Sequence, residues 1–410
     1  MRDNVHYGFI QIPLSHISPF AIDEALLLYK PTPDDIVRKD NHSRVIFNNV
    51  AITQEEEEHV EKFINYLLSE CSIVENMLEN ELLELIHLMQ PELLRLLYSA
   101  KFDYEEAASL TLKNYEFRLS SLLPATINEI EKELKEGYLY WFGRDKKFRP
   151  TLIADIFKLQ NISVDKILKL VIFCFEFFLR YLHVGGRAES YNVMIDCCNK
   201  SVVEVPIQMI IKLVDLMHSK YRGRLHKIYL INTPSLINMM MKTLSTVLPK
   251  GTFEKILILK KDFRDVLSKL YDHNQLQEKF GGTSSDLIED FYPFKFFSNV
   301  GNEVKSGISP EVIVNLPPKI LYGTSMILKK QRLVQKRHKF FESPDNMGTE
   351  EDSSSKYDLE SWTKEIGIYM LTKDTAKYII NNRPQLGVMV EQNIIETRKD
   401  LKSFVCKVKI

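Results

Sequence analysis

Apolar residues recur at three- and four-residue spacing over residues 54–69, 75–98, 103–119 and 125–136, each stretch opening on acidic positions. That period predicts a run of helices. Thr53 and Glu56 form a capping box for the first, and Pro91 is expected to break the second. Ahead of them, residues 1–52 mix polar and apolar positions around PLSHISPF and KPTPDD and read as an extended arm. The pattern then changes. Tyr138–Phe142 (YLYWF) reads as a strand, 143–150 as a turn, and 163–184 as a long helix opened by Ser163. After the loop GGRAES come a strand (Tyr191–Asp196), an amphipathic helix (Pro206–Ser219), and two short apolar strands, Lys227–Ile231 and Lys255–Leu259. A further helix covers 263–271. Strand and helix alternate, which predicts an α/β layer with a mostly parallel sheet behind a helical lobe.

The helix expected between the last two strands, from Pro234 to about Leu248, is unusual. Leu236, Ile237, Met239, Met240, Met241, Leu244 and Val247 make it apolar most of the way round, with Lys242 its one charge. A crossover helix should bury one stripe and wet the other. The second oily face needs a partner.

Composition narrows the function classes. The chain has 410 residues, a length for two or three domains, and 45% are apolar, enough for a sizeable core. A net charge of −1 gives no global basic field, so nucleic acid is not an expected partner. The five cysteines are odd in number and scattered, as in a reduced cytosolic protein. Asp3 and the lack of an early apolar run argue against a secretory leader. Ile167–Val184 is oily, but Lys169, Glu176 and Arg180 interrupt it. Each would cost about 2.5–3.5 kcal/mol at a bilayer centre, so a buried helix of a globular domain is expected. His183 and His226 lack partners at metal spacing, and Asp196 lacks a nucleophile or histidine partner. No catalytic or metal residue and no cofactor is therefore expected. GGRAES, with Arg187, reads as a turn. Beyond residue 282, FYPFKFF is aromatic, Lys329–Lys339 carries six Lys/Arg, Glu342–Lys356 is polar and acidic, and strands are expected after Trp362.

Four collinear segments between residues 93 and 282 resemble the CRAL-TRIO lipid-transfer family. LLRLLYSAKFDYEEAA resembles the end of that family's helical lobe, and YWFGRDKKFRP (Tyr140–Pro150) its first strand and "G-x-D-x-x-G-R-P" turn. MIDCCN (Met194–Asn199) resembles the next strand end. YLINTP…LPKGTFEKI followed by LQEKFGG resembles "I-I-N-A-P…P-x-T-x-x-K-I" and its closing glycines. The resemblance implies a mostly parallel sheet flanked by helices and enclosing a lipid cavity. The helix after Pro234 would be a movable gate, with Leu236, Ile237, Met239, Met240, Met241, Leu244, Val247, Tyr140, Met194 and Leu230 lining gate and cavity. Methionine suits a gate because it packs against chains of varied shape. Thr252 and Lys255, joined by Lys101, would contact the lipid phosphate.

Two positions depart from the inositol-binding pattern. Gly223 stands where a glutamate often lies, and Ala100 where an arginine does, so phosphate recognition is expected to outlast inositol recognition. Phe148 replaces the turn glycine, and Arg144 and Arg149 are expected as surface or lobe-packing charges. The expected organisation is an N-terminal extension (1–53), a helical lobe (54–136), a lipid-binding domain (137–300) and a C-terminal extension (301–410). The expected activity is non-enzymatic exchange of one phospholipid between membranes by a cytosolic, peripherally membrane-associated protein. The alternatives are a carrier of a sterol-, tocopherol- or retinoid-like hydrophobe, and a lipid-stabilised scaffold with a protein partner on its flanks.

Overall fold

The computed structural model describes residues 12–38, 43–69, 90–119, 127–159, 161–197, 207–234, 237–298, 307–310 and 313. The helix expected over 75–89, the basic run, the acidic stretch and the C-terminal strands lie outside the described residues. The chain divides into two compact units, one within 1–50 and 116–324, the other within 51–115 and 325–410.

The smaller described unit is helical. Helix α3 (Gln54–Ser69) begins on the predicted capping box: Glu56 N–H donates to Thr53 Oγ1 (3.2 Å) and Thr53 N–H to the Glu56 carboxylate (2.7 Å). Helix α4 (Gln90–Ser99) starts at Gln90 with Pro91 in its first turn, where the missing N–H is harmless. Lys101 and Phe102 both have positive φ (52° and 63°), and Phe102 N–H closes back on Leu97 O (2.7 Å). Asp103 then accepts from Glu106 N–H (2.9 Å) and caps α5 (Tyr104–Leu119). The "K-F-D" of the motif is thus a helix stop followed at once by a helix start.

The larger unit is built on a five-stranded sheet in the order β1 (Leu139–Arg144), β2 (Pro150–Asp155), β3 (Tyr191–Asp196), β4 (Leu225–Ile231), β5 (Ile256–Ile258). β1 and β2 are antiparallel; β2 through β5 are parallel. β2 was not expected. It has only a short apolar run and starts on Pro150, a residue tolerated at the first position of a strand. The exposed edge of β1 is covered by FYPFKFF, where Lys295 bridges to Phe142 and accepts from Gly143 N–H (3.1 Å).

One face of the sheet packs on α8 (Val164–Phe177), which continues as a π-helical turn to Leu182. Trp141 donates its indole N–H to Cys174 O (2.9 Å) and stacks on Phe178. The oily stretch is therefore a buried helix, and its charges find partners: Lys169 pairs with Glu129 (2.5 Å), and Glu176 accepts from Tyr221 OH (2.8 Å). Among the described residues no helix is long and apolar enough to cross a membrane.

The arm is not simply extended. It carries short helices α1 (Glu24–Leu28) and α2 (Pro33–Ile36) and joins the sheet unit. Arg144 fixes it. This side chain is 1% exposed and donates to the backbone carbonyls of Ala21, Phe148 (2.7 Å) and Leu182 (3.0 Å). Burial lowers its pKa to about 10, so it stays charged at neutral pH. Arg144 is a buried tie, not a surface charge.

Two motif glycines have steric reasons. Gly143 has φ 61° and a Cβ there would lie 2.2 Å from Gln275 O; one on Gly282 would lie 1.9 Å from Leu276 O. The first-strand and closing-glycine motifs thus pack on two adjacent residues, Gln275 and Leu276. GGRAES also binds an anion, but the chain's own. The buried Glu189 carboxylate accepts from Gly186 N–H (2.8 Å), Phe47 N–H (3.0 Å) and Asn48 N–H (2.8 Å). Glu189→Ala strands three buried donors and is expected to destabilise the unit by roughly 3 kcal/mol or more, with Glu189→Gln losing less. Urea unfolding of the two variants measures the difference.

Candidate functional site

The site grows from the β1–β2 turn, GRDKKFRP. Asp145 organises it by accepting from the backbone N–H groups of Lys147 and Arg149, both at 2.9 Å. Its second oxygen holds Arg149 Nε (2.7 Å) and Asn192 Nδ2 (2.8 Å). Phe148 keeps the left-handed conformation of the glycine it replaces, with φ 61°, and its ring packs on Tyr29 of the arm at 5.0 Å. The strain of a bulky residue in that region is offset by this contact.

So held, Arg149 points a guanidinium N–H at His226 Nδ1 (3.1 Å). From the arm, Arg38 points another at the same nitrogen (3.0 Å). Nδ1 is therefore the acceptor and the imidazole is neutral. Burial first, then Arg149, Arg38, Lys227 and Lys255, depress the His226 pKa to about 2. Lys255 stands beside this group. Its backbone carbonyl accepts from Ile228 N–H (3.0 Å), and its ammonium donates to Leu225 O (2.8 Å). Burial, with Arg38 and Lys227, brings its pKa down to about 8. A basic cluster thus sits where β4 and β5 begin.

Thr252 lies in the one-turn helix α11 (Lys250–Phe253), and its carbonyl accepts from Lys255 N–H (3.1 Å), so the T-x-x-K spacing is a local turn. Lys101 belongs to the other compact unit and is exposed. Gly223 has φ 68°, in the left-handed region, where a glutamate would be strained.

The gate candidate is α10 (Ile237–Val247). Ile237 is buried, Met241, Leu244 and Val247 are half-buried, and Asn238, Lys242, Ser245 and Thr246 are exposed. Leu236 and the side chains of Met239 and Met240 lie outside the described set. On the sheet, Tyr140, Ile153, Met194 and Tyr229 are register partners and share one face. Leu230 pairs with Ile195, one residue along, and so faces the other way. It cannot line a cavity with Tyr140 and Met194, because alternate strand residues point to opposite faces.

At the other end of the sheet a recess of about 270 Å³ opens beside Tyr140, Ile153, Asp155, Asp196, Ile288 and Phe291. Its walls include no α10 residue. Asp196 accepts from Asn232 Nδ2 (2.9 Å), and Asn232 takes φ 48°. The "D" and "N" of two sequence motifs are one hydrogen bond joining the ends of β3 and β4. Among the described residues no three His, Cys, Asp or Glu are grouped to hold a metal.

This mixed sheet carries motif residues at both ends, and residues 134–282 match the CRAL/TRIO domain family model. The chain contains a CRAL/TRIO domain. Its relatives include a phosphatidylinositol/phosphatidylcholine transfer protein, SFH4, of Arabidopsis thaliana, 25% identical over 229 residues. That alignment takes in 48% of this chain and 37% of the relative, little over a third of its length. The SEC14 cytosolic factor of Kluyveromyces lactis is 28% identical over 212 residues, 47% of this chain and 70% of that protein. A crystal structure of Sfh5 aligns with 65% of this chain and 98% of its own, at 13% identity and a TM-score of 0.44.

Sequence reasoning named Thr252 and Lys255 but missed the setting of Lys255. Arg149 and His226 were read as packing or surface groups, and Arg38 and Lys227 were not singled out. Asp145 and Arg149 at i and i+4 were a local signal. Arg38 had none, being 188 residues from His226.

The neutral His226 of the CRAL/TRIO domain makes a pH prediction. Unfolded, its pKa is about 6.5; folded, it is about 2. Below about pH 6.5 the unfolded chain takes up a proton the folded one refuses, so stability falls with pH. His226→Gln removes this contribution. Urea midpoints measured from neutral pH down to about pH 4 should fall less steeply in the variant than in the wild type.

Proposed function

We propose that this chain binds one phospholipid and exchanges it between membranes, without bond chemistry, as a cytosolic protein that touches membranes transiently. The observation that carries the reading is α10. A helix between β4 and the last strand of the sheet, β5, leaves Met241, Leu244 and Val247 only half-covered. The names of its relatives, a phosphatidylinositol/phosphatidylcholine transfer protein among them, support the same ligand class.

The energetics require enclosure. A diacyl lipid exposes about thirty methylenes, each favoured by ~0.8 kcal/mol when removed from water. Exchange at a useful rate needs a protein surface that covers both chains. The recess at the strand ends, about 270 Å³, is smaller than the ~300–1,000 Å³ of a drug-sized ligand pocket. That recess alone does not enclose a diacyl lipid, and α10, an element whose apolar stripe is incompletely packed, is the part taken to move. Lys255 supplies the headgroup cation: a half-buried ammonium beside Arg38 and Lys227 gains from a phosphate partner.

Transfer of fluorescent phosphatidylcholine from donor to acceptor vesicles tests the reading. Leu244→Asp should abolish loading, because an unpaired carboxylate would enter an apolar site. Lys255→Ala should lower transfer by roughly five- to tenfold, the equivalent of about one charge-assisted contact, with the fold intact by circular dichroism. Normal transfer by both variants would remove α10 and Lys255 from the mechanism. Mass spectrometry of lipid copurified with the protein distinguishes a phospholipid from a sterol-like cargo.

A further inference from the structure

Residues 29–37 (YKPTPDDIV) meet the β1–β2 turn through one carboxylate oxygen. Asp35 Oδ2 accepts from four donors: Thr32 Oγ1 (2.6 Å), Thr32 N–H (2.9 Å), Tyr29 OH (3.1 Å) and the Lys147 ammonium (3.1 Å). Lys147 belongs to the turn, and the Tyr29 ring packs on Phe148 of the same turn at 5.0 Å. Asp35 therefore holds this part of the arm together and also fastens it to the turn.

Thr32 stands at the start of that network and is exposed. Five Ser/Thr–Pro pairs occur in the chain, at Ser18, Thr32, Thr233, Ser309 and Ser343. Ser343 lies outside the described residues, Ser18 and Thr233 are half-buried, and Thr32 and Ser309 are exposed. Thr32 also has the right backbone. Tyr29 (φ −58°, ψ 128°) and Thr32 (φ −77°, ψ 163°) are close to polyproline II, so the chain runs extended from α1 to α2. Lys30, Pro33 and Asp34 are exposed beside it. A protein kinase binds its acceptor segment extended, and a proline-directed kinase seats the ring that follows the acceptor. KPTPD presents that shape on the surface, with the Pro33 ring in solvent.

We propose that Thr32 is the acceptor of a proline-directed serine/threonine protein kinase, and that phosphate there unfastens residues 29–38 from the β1–β2 turn. In the transfer Thr32 Oγ1 bonds to the γ-phosphorus of ATP. The bond from that phosphorus to the β–γ bridging oxygen breaks, ADP leaves, and the hydroxyl proton passes to a base of the kinase. A donor to Asp35 is thereby replaced by a group that carries about −1.5 to −2 and only accepts. Phosphate stabilises many helix N-termini, but α2 is a single turn that already holds Asp34 and Asp35. The dianion and the Asp35 carboxylate repel, and both compete for the ammonium of Lys147. Asp35 then loses its hold on Tyr29, and Phe148 loses the ring contact that offsets its left-handed backbone. The earlier part of the arm stays in place, since Ala21, Ile22 and Leu26 are fully buried. Arg38 lies two residues beyond α2 with an N–H 3.0 Å from His226 Nδ1, so the loosening extends to the start of β4. The proposal stands apart from the phospholipid reading, because it concerns attachment of the arm and not a cargo.

The full chain incubated with ATP and a proline-directed kinase, with phosphosites located by mass spectrometry, tests the first half. Phosphate should appear on Thr32 and be absent from that position in Thr32→Val. Pro33→Ala, with folding checked by circular dichroism, should lose most of it. No phosphate on Thr32 in the wild type, whether or not the other four pairs take it, overturns the assignment. Hydrogen exchange of the phosphorylated and unmodified chains tests the second half. The amides of Asp35, Ile36 and Val37, which bond to Thr32 O and Pro33 O, and those of Lys147 and Arg149, which bond to Asp145, should exchange at least about fivefold faster after phosphorylation, the equivalent of one lost hydrogen bond. Amides of Tyr191–Asp196 in β3 should keep their rates. Unchanged or slower exchange in α2 and the turn overturns the unfastening.

Discussion

The sheet unit depends on one desolvated guanidinium. Arg144 sits at the end of β1 with its side chain inside the protein, and three backbone carbonyls, one from its own turn and two from distant segments, accept its N–H groups. Ala21 brings the arm, Phe148 the β1–β2 turn, and Leu182 the end of the π-helical turn. Each carbonyl would otherwise be a buried acceptor lacking a donor, at about 1–3 kcal/mol apiece. The charge is tolerated because every contact points a dipole's negative end at it, with the Phe296 ring adding its face at 5.5 Å. From this tie the rest follows. With the turn fixed, Asp145 can orient Arg149. With the arm fixed, Arg38 can reach His226.

That consequence is energetically odd. Two guanidiniums that share an acceptor at 3.0 and 3.1 Å hold their donor nitrogens within about 6 Å. At an effective dielectric near 20, two unit charges so spaced repel by roughly 3 kcal/mol. A fold that only needed to be stable would disperse them or pair each with a carboxylate. Asp145 does this for Arg149, whose Nε lies 2.7 Å from its carboxylate, and so offsets part of the repulsion.

What the sequence made legible follows from the range of the interactions. The capping box at Thr53 and Glu56, the Ser163 cap accepting from Lys166 N–H (3.3 Å), and the strand Tyr191–Asp196 are written in a few consecutive residues, and the structure has them there. β2 escaped notice because its apolar run is short and it starts on Pro150, although β1 pairs with it across the turn that joins them. The face of Leu230 depended on register, and register is set across β3 and β4, not within YLIN. Arg144 looked like a surface or lobe-packing charge, because nothing local reveals that Ala21 and Leu182 will close over it. Phe148 is an instructive departure. A glycine position filled by phenylalanine suggests a changed turn, yet the backbone keeps its left-handed geometry because Tyr29, over a hundred residues earlier, packs on the ring.

The two ends of the sheet now have different characters. Where β4 and β5 begin, cations gather around a neutral histidine. Where β2 and β3 end, Asp155 and Asp196 border a small recess that Lys158 and Lys279 also line, beside the rings of Tyr140 and Phe291 and aliphatic Ile153 and Leu287. Between the ends, on one face, runs the row Tyr140, Ile153, Met194 and Tyr229. Such a gradient suits an amphipathic cargo laid along the strands, head toward the cations and chains over the apolar row. A flat apolar ligand with a single hydroxyl would leave the cationic end unsatisfied. The same asymmetry bears on the movement proposed for α10. The opposite face of the sheet is closed by α8, which is buried without a break from Leu170 to Phe177, and a solidly packed helix face has no second position to move to. A helix whose stripe is only half-covered can gain contacts with a cargo that it lacks without one.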